Sequence, residues 1–140
     1  WHLLRFEPHR GIMQWVQDLN GLYAAERALH EIDFHYSGFE WIDLHDAAAS
    51  VVSFERKARD PQDALVVACN FTPVPRIGYR IGVWEPGSYK ELLNSDGAVY
   101  GGSNMGNAGE VHSEPIPRHG RGHSVSLTLP PLAALFLKKQ

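Results

Sequence analysis

LVVACNF, residues 65–71, is nearly all apolar and built of β-branched or small side chains. Such a run reads as a central strand covered on both faces. Thr72 to Arg76, with Pro73 and Pro75, ends it, since proline cannot donate to a ladder. The chain on either side supplies strands to cover it. Upstream, Ile42 and Leu44 alternate with Asp43 and His45, and Val52 and Phe54 alternate with Ser53 and Glu55, with a turn expected at Asp46 to Ser50.

Downstream, Tyr79, Ile81 and Val83 alternate, a turn follows at Glu85, Pro86 and Gly87, and a strand runs from Tyr89 to Leu93; the pair reads as a hairpin. Further on, Val125, Leu127 and Leu129 alternate with Ser124, Ser126 and Thr128, and after Pro130 and Pro131 the run Ala133 to Leu137 closes the chain. Seven short strands separated by turn signals predict an all-β fold, an antiparallel two-sheet β-sandwich with three or four strands per sheet.

One helix precedes this pattern. From Pro8 to Glu26, the apolar residues Ile12, Met13, Trp15, Val16, Leu19, Leu22 and Tyr23 recur at spacings of three and four. Pro8 suits the first turn, where its missing N–H has no intrahelical partner. The apolar face is wider than a small sandwich needs, so the helix is expected to pack on a partner domain outside this chain.

The stretch from Asn94 to His123 holds seven glycines and few apolar residues. Loops of this length are either functional or disordered. The chain's single cysteine, Cys69, sits in an apolar run and reads as a small hydrophobe, which suits a reducing, cytoplasmic compartment.

With 140 residues, one domain plus a short appendage is the natural size. Thirteen basic against sixteen acidic residues leave a net charge of -3 and no basic stripe, which argues against a nucleic-acid partner. No apolar run reaches the roughly 18 residues of a membrane span, so no membrane partner is expected. A start on Trp1, without methionine or a signal peptide, suggests a fragment of something longer.

The search for chemistry turns up little. His112, His119 and His123 lie in a Gly- and Pro-containing loop without spacing that fixes ligand geometry, so no metal is expected. Gly101 to Gly106 lacks the lysine and the strand-to-helix context of a phosphate cradle. Asp43, Asp46 and Glu55 read as a solvated hairpin face, with nothing apolar near them to raise a pKa. Ser124 and Ser126, beside His123, read as the wet side of a strand. No catalytic residue and no cofactor site emerges.

Four aromatics are candidates for sugar contact: Trp41, Trp84, Tyr89 and Tyr100. A pyranose presents an apolar C–H face that lies well on an indole or phenol. Core or interface packing competes with this for Trp41 and Trp84, whereas Tyr100, inside the polar loop, is expected at the surface.

An ordered set of phrases carries a resemblance: WHLL at 1–4, VQDLN at 16–20, ALHEIDF at 28–34, GFEWID at 38–43, CNFTPVPR at 69–76, LNSD at 93–96, YGGSNMGN at 100–107 and SLTLPPLA at 126–133. Together they resemble the C-terminal end of bacterial 1,4-α-glucan (glycogen) branching enzymes of the α-amylase superfamily, glycoside hydrolase family 13. The resemblance implies a TIM-barrel catalytic domain in the same parent chain, with residues 1–30 as the barrel's last helix and flank and residues 31–140 as the C-terminal all-β domain. It also implies that the parent transfers an α-1,4-glucan chain to a 6-hydroxyl through a covalent intermediate, with retention and without a cofactor.

The family's Asp, Glu and Asp carboxylates lie in barrel loops, and none maps onto a residue here. The segment alone is therefore expected to have no branching activity. Two roles stay open beside each other, support of the barrel and an accessory glucan-binding surface; a free-standing starch-binding module is the alternative. An ordered long loop, pinned by glycine turns and side chains bonding to backbone, fits either role.

Overall fold

The computed structural model describes residues 2–140; Trp1, which begins the phrase WHLL, lies outside them. Helix α1 spans Glu7–Ala25, followed by strands β1 Phe39–Asp43, β2 Val51–Lys57, β3 Ala64–Asn70, β4 Arg76–Val83, β5 Ser88–Asn94, β6 Glu110–Glu114, β7 His123–Leu129 and β8 Ala133–Lys139. All seven expected strands are present. The eighth, β6, lies inside the stretch read as loop.

β3 has the central place expected of it. It pairs in unbroken register with β2 from Val51–Asn70 to Lys57–Ala64, and with β8 on its other side. Leu65, Val66, Val67 and Ala68 are each at most 3% exposed. Val66 and Ala68 enter the main core with Ile81, Val83, Val125, Leu127, Leu135 and Leu137, while Leu65 and Val67 join Ala28 in a second cluster on the opposite face. Each fully buried Leu or Val stabilises by about 1.5–3 kcal/mol. Cys69 is a half-buried free thiol at the edge of that second cluster, and burial pushes its pKa up.

The antiparallel all-β class is as expected, but the strands do not divide into two separate sheets. They form one ladder in the order β1-β2-β3-β8-β5-β6-β7-β4, curled so that the edge strands β1 and β4 approach each other. The turn of the ladder lies in β6. Its residues Glu110, Val111 and His112 pair with β5, and Ser113 and Glu114 pair with β7, so one short strand carries the hydrogen bonding from one layer to the other.

The hairpin expected around Glu85–Gly87 is not formed. β4 pairs with β7, and β5 pairs with β6 and β8. The turn, with Gly87 at φ 135°, therefore leads from one layer across to the other.

One stripe of α1 is docked on the β-domain. Its residues Gly11, Trp15 and Asp18 share one stripe. Trp15 packs edge-on against Tyr100, with centroids 5.2 Å apart, and tilted against Phe136 at 6.5 Å. Gly11 is buried, and a Cβ there would lie 2.3 Å from the Tyr100 carbonyl oxygen. The following segment is stapled by ion pairs, Arg27 to Asp63 at 3.0 Å and Lys138 to Asp63 at 2.8 Å, with Glu26 on the same ammonium.

Among the described residues the adjacent stripe of α1 has little cover beyond the His30 ring beside Tyr23. Ile12 is 62%, Val16 48% and Tyr23 49% exposed. Among the described residues no helix is long and apolar enough to cross a membrane.

Candidate functional site

Arg121, near the end of the long glycine-rich stretch, centres an ion-pair network with Glu40 and Glu55. Its side chain is 1% exposed and its Nη2 donates to Glu40 Oε1 at 2.7 Å and to Glu55 Oε2 at 3.2 Å. Lys57 closes the network, bonding to Glu40 and lying 3.5 Å from Glu55. Burial works against the charged form of Glu40, yet hydrogen bonds from Lys57 and Arg121 outweigh it and hold its pKa below the usual value. The guanidinium carbon lies 5.0 Å from the centroid of the Trp84 ring, within cation–π range.

Trp84 itself is 50% exposed. It lines a cleft of about 180 Å³ together with Glu55, Lys57, Gln62, Glu85, Tyr89 and Lys139. The cleft lies between the β2–β3 strands and the turn from β4 to β5.

The four aromatic candidates are not brought together. Trp41, half-exposed on β1, stands edge-on to Phe39 at 4.8 Å and to Phe54 at 5.8 Å, forming an open aromatic patch. Tyr89 is only 4% exposed, its hydroxyl donates to the Glu85 carbonyl at 2.8 Å, and burial pushes its pKa up to about 12. It presents no ring face to a ligand and meets the cleft only along its wall.

Tyr100 is half-buried, against the expectation that it stands at the surface. Its ring meets Trp15 and its hydroxyl donates to Asp18 Oδ2 at 2.7 Å. Burial, then that hydrogen bond, raise its pKa to about 12. Tyr100 thus fastens α1 to the domain. Trp41 and Trp84, for which packing competed, are the exposed pair.

Glu55 and Ser124 also differ from expectation. Glu55 is 6% exposed and paired with Arg121, so it is no part of a solvated hairpin face. Ser124 is fully buried, donating to the Ile116 carbonyl at 2.6 Å and accepting from Arg80 Nη1 at 3.0 Å. It is not on the wet side of β7, because β6 and the residues after it fold over that position. Asp46 accepts from the Ala49 N–H at 2.9 Å and the Tyr79 hydroxyl at 2.8 Å, bonds that lower its pKa.

The His119 ring accepts at Nδ1 from the Gly82 N–H at 3.3 Å, with Nε2 at 3.4 Å from Asp43. Burial pulls its pKa down against the attraction of Asp43. Among the described residues, no group of three or more His, Cys, Asp or Glu side chains is arranged to hold a metal ion.

The long stretch is ordered from within. Buried Asp96 accepts from the Ser103 N–H and the Met105 N–H, each at 3.0 Å, and from the Ser103 hydroxyl. Asn94 donates to the Met105 carbonyl at 2.8 Å, while Asn107 donates to Glu91 at 2.8 Å and accepts from the Thr128 N–H at 2.8 Å. Gly102 is required, since a Cβ there would lie 2.2 Å from the Asp96 carbonyl oxygen. The asparagines and glycines of this stretch hold a backbone, and what the stretch conceals is the buried ion pairing of Arg121. An arginine among glycines and histidines reads as solvated, and nothing nearby in sequence marks it as buried.

Comparison with known proteins places this geometry in context. The family described as alpha amylase, C-terminal all-beta domain, matches residues 41–140. The chain is 51% identical over 140 residues to the 1,4-alpha-glucan branching enzyme GlgB of Aquifex aeolicus, covering 100% of this chain and 22% of that protein. It is 54% identical over 138 residues to the enzyme of the same name from Rubrobacter xylanophilus, covering 99% and 19%. With that of Thermosynechococcus vestitus the identity is 55% over 138 residues, covering 99% and 18%. The chain spans about a fifth of the length of these curated relatives.

Proposed function

Because this chain belongs to the alpha amylase C-terminal all-beta domain family, we propose that it serves as the C-terminal, non-catalytic part of a cytoplasmic 1,4-α-glucan branching enzyme and supports that enzyme's catalytic barrel. In this reading the barrel cuts an α-1,4-glucan, holds the chain as a covalent glycosyl intermediate and passes it to a 6-hydroxyl, while the present residues act by packing. The observation that carries the reading is the split face of α1. Gly11, Trp15 and Asp18 meet the β-domain, while Ile12, Val16 and Tyr23 on the next stripe stay open. A helix apolar over so wide an arc, half of it covered, is suited to sit between two bodies.

The test is a pair of charges on the open stripe. In the 140-residue chain, Ile12→Glu with Val16→Glu is expected to leave the thermal midpoint nearly unchanged, since both side chains are already about half exposed or more. In the full-length enzyme the same pair is expected to lower both the midpoint and the branching rate, followed as loss of iodine-stain absorbance on amylose. Equal behaviour of wild type and variant in the full-length enzyme would sink the docking role. The 140-residue chain alone is expected to leave the amylose stain unchanged.

A weak glucan contact accompanies this role in the reading. Its support is the exposure of Trp41 and Trp84, each about half open, on a domain whose relatives act on α-glucan. Retardation of the chain in a glycogen-containing gel is the expected result.

A further inference from the structure

Resting on the reading that this domain touches glucan, we propose that the cleft beside Trp84 is a subsite that takes one pyranose ring of an α-1,4-glucan chain. The platform is prepared in advance. Arg121 backs the Trp84 ring at 5.0 Å and is itself fixed by Glu40 and Glu55, so the indole is held in place while half its surface stays open. A stacking surface that does not have to be ordered on binding loses less entropy to the ligand.

The lining selects for a neutral, hydroxyl-rich ligand. Two carboxylates, Glu55 and Glu85, face two ammonium groups, Lys57 and Lys139, with the Gln62 amide beside them. The charges balance, so a phosphorylated or cationic ligand would gain one pair and be repelled by the other. Glu55 and Lys57 are held in the Arg121 network. That leaves Glu85, Lys139 and Gln62 to meet sugar hydroxyls, which both donate and accept. The indole supplies the apolar surface for the C–H face of the ring.

Size sets how much of a chain enters. At about 180 Å³, the cleft is smaller than the roughly 300–1,000 Å³ of sites that engulf a whole drug-sized molecule. It takes one ring, with the rest of the chain running over the surface. Such a site holds a polymer weakly and locally, and is distinct from the Trp41 patch, where Trp41, Phe39 and Phe54 meet one another.

The experiment is a titration of the isotope-labelled 140-residue chain with maltoheptaose, following the tryptophan indole N–H signals and the backbone amides by NMR. The Trp84 indole and the amides of Gln62, Glu85 and Lys139 are expected to shift together and saturably. Trp84→Ala should weaken binding at this site at least tenfold, and Trp84→Tyr should retain most of it, with the remaining spectrum showing that both variants are folded. Shifts confined to Trp41 and its neighbours would overturn the cleft proposal while leaving the glucan-contact reading intact. No saturable shift anywhere would overturn both, and retention of full affinity by folded Trp84→Ala would overturn the cleft alone.

Discussion

Gly11 and Gly21 lie in the same helix, yet their surroundings are opposite. A Cβ at Gly11 would press on the Tyr100 carbonyl at 2.3 Å, whereas at Gly21 it would meet nothing within 4 Å. Backbone cannot yield as a side-chain tip can, so Gly11→Ala is expected to destabilise by about 1–3 kcal/mol, loosening α1 from the domain. Gly21→Ala should stabilise by up to about 1 kcal/mol, the helix-propensity gain. Thermal melts of the two variants therefore move in opposite directions, by a few degrees each; a neutral Gly11→Ala would mean that the helix does not lie on the 98–100 turn. Sequence alone presents two glycines in one amphipathic pattern. What separates them is the approach of a turn from far along the chain.

At the scale of elements, alternation located strands well and their partners poorly. LVVACNF was readable because an all-apolar run of that length has few other uses, and β8 because its apolar run follows a proline pair. β6, EVHSE, carries one apolar residue and no period, so nothing marked it. The pairing of β4 with β7 across some 40 intervening residues leaves no local trace either, whereas a Pro-Gly turn between two alternating runs suggests a hairpin on local grounds alone. The order within residues 94–107 depends on Asp96 in the same non-local way, since its carboxylate holds two backbone N–H groups. Asp96→Ala removes both acceptors, and losing these charge-assisted bonds to the backbone costs about 1–3 kcal/mol. Hydrogen exchange at the Ser103 and Met105 amides is expected to quicken strongly in that variant, while the amides of β3 quicken only by as much as global stability falls. Unaltered protection at both amides would show that the stretch is held by something else.

Across the whole molecule, one curled ladder places its acidic groups among cations and buried donors, and this sets how stability depends on pH. Glu40, Asp46 and Asp63 all have pKa values below the ordinary 4.5 or 3.8: burial opposes ionisation at Glu40 but Lys57 and Arg121 prevail, the Ala49 N–H leads at Asp46, and Lys138 leads at Asp63. His119 is also lowered, from 6.5, chiefly by burial, with Arg118 and Arg121 adding to it and Asp43 and Asp46 opposing. For every one of these groups the unfolded chain takes up its proton at a higher pH than the folded one, so acid favours unfolding. Stability should therefore hold above pH 6.5 and decline gently as His119 is forced toward its charged form. It should fall steeply once the pH drops below about 4.5, where the unfolded carboxylates protonate first. The two stages have separate owners and can be separated. His119→Asn, which tolerates the left-handed backbone at φ 50°, is expected to erase the shallow decline and leave the steep one. Chemical denaturation of wild type and variant at a series of pH values from 8 to 3 measures both, and a shallow decline that survives the substitution would assign it to another histidine.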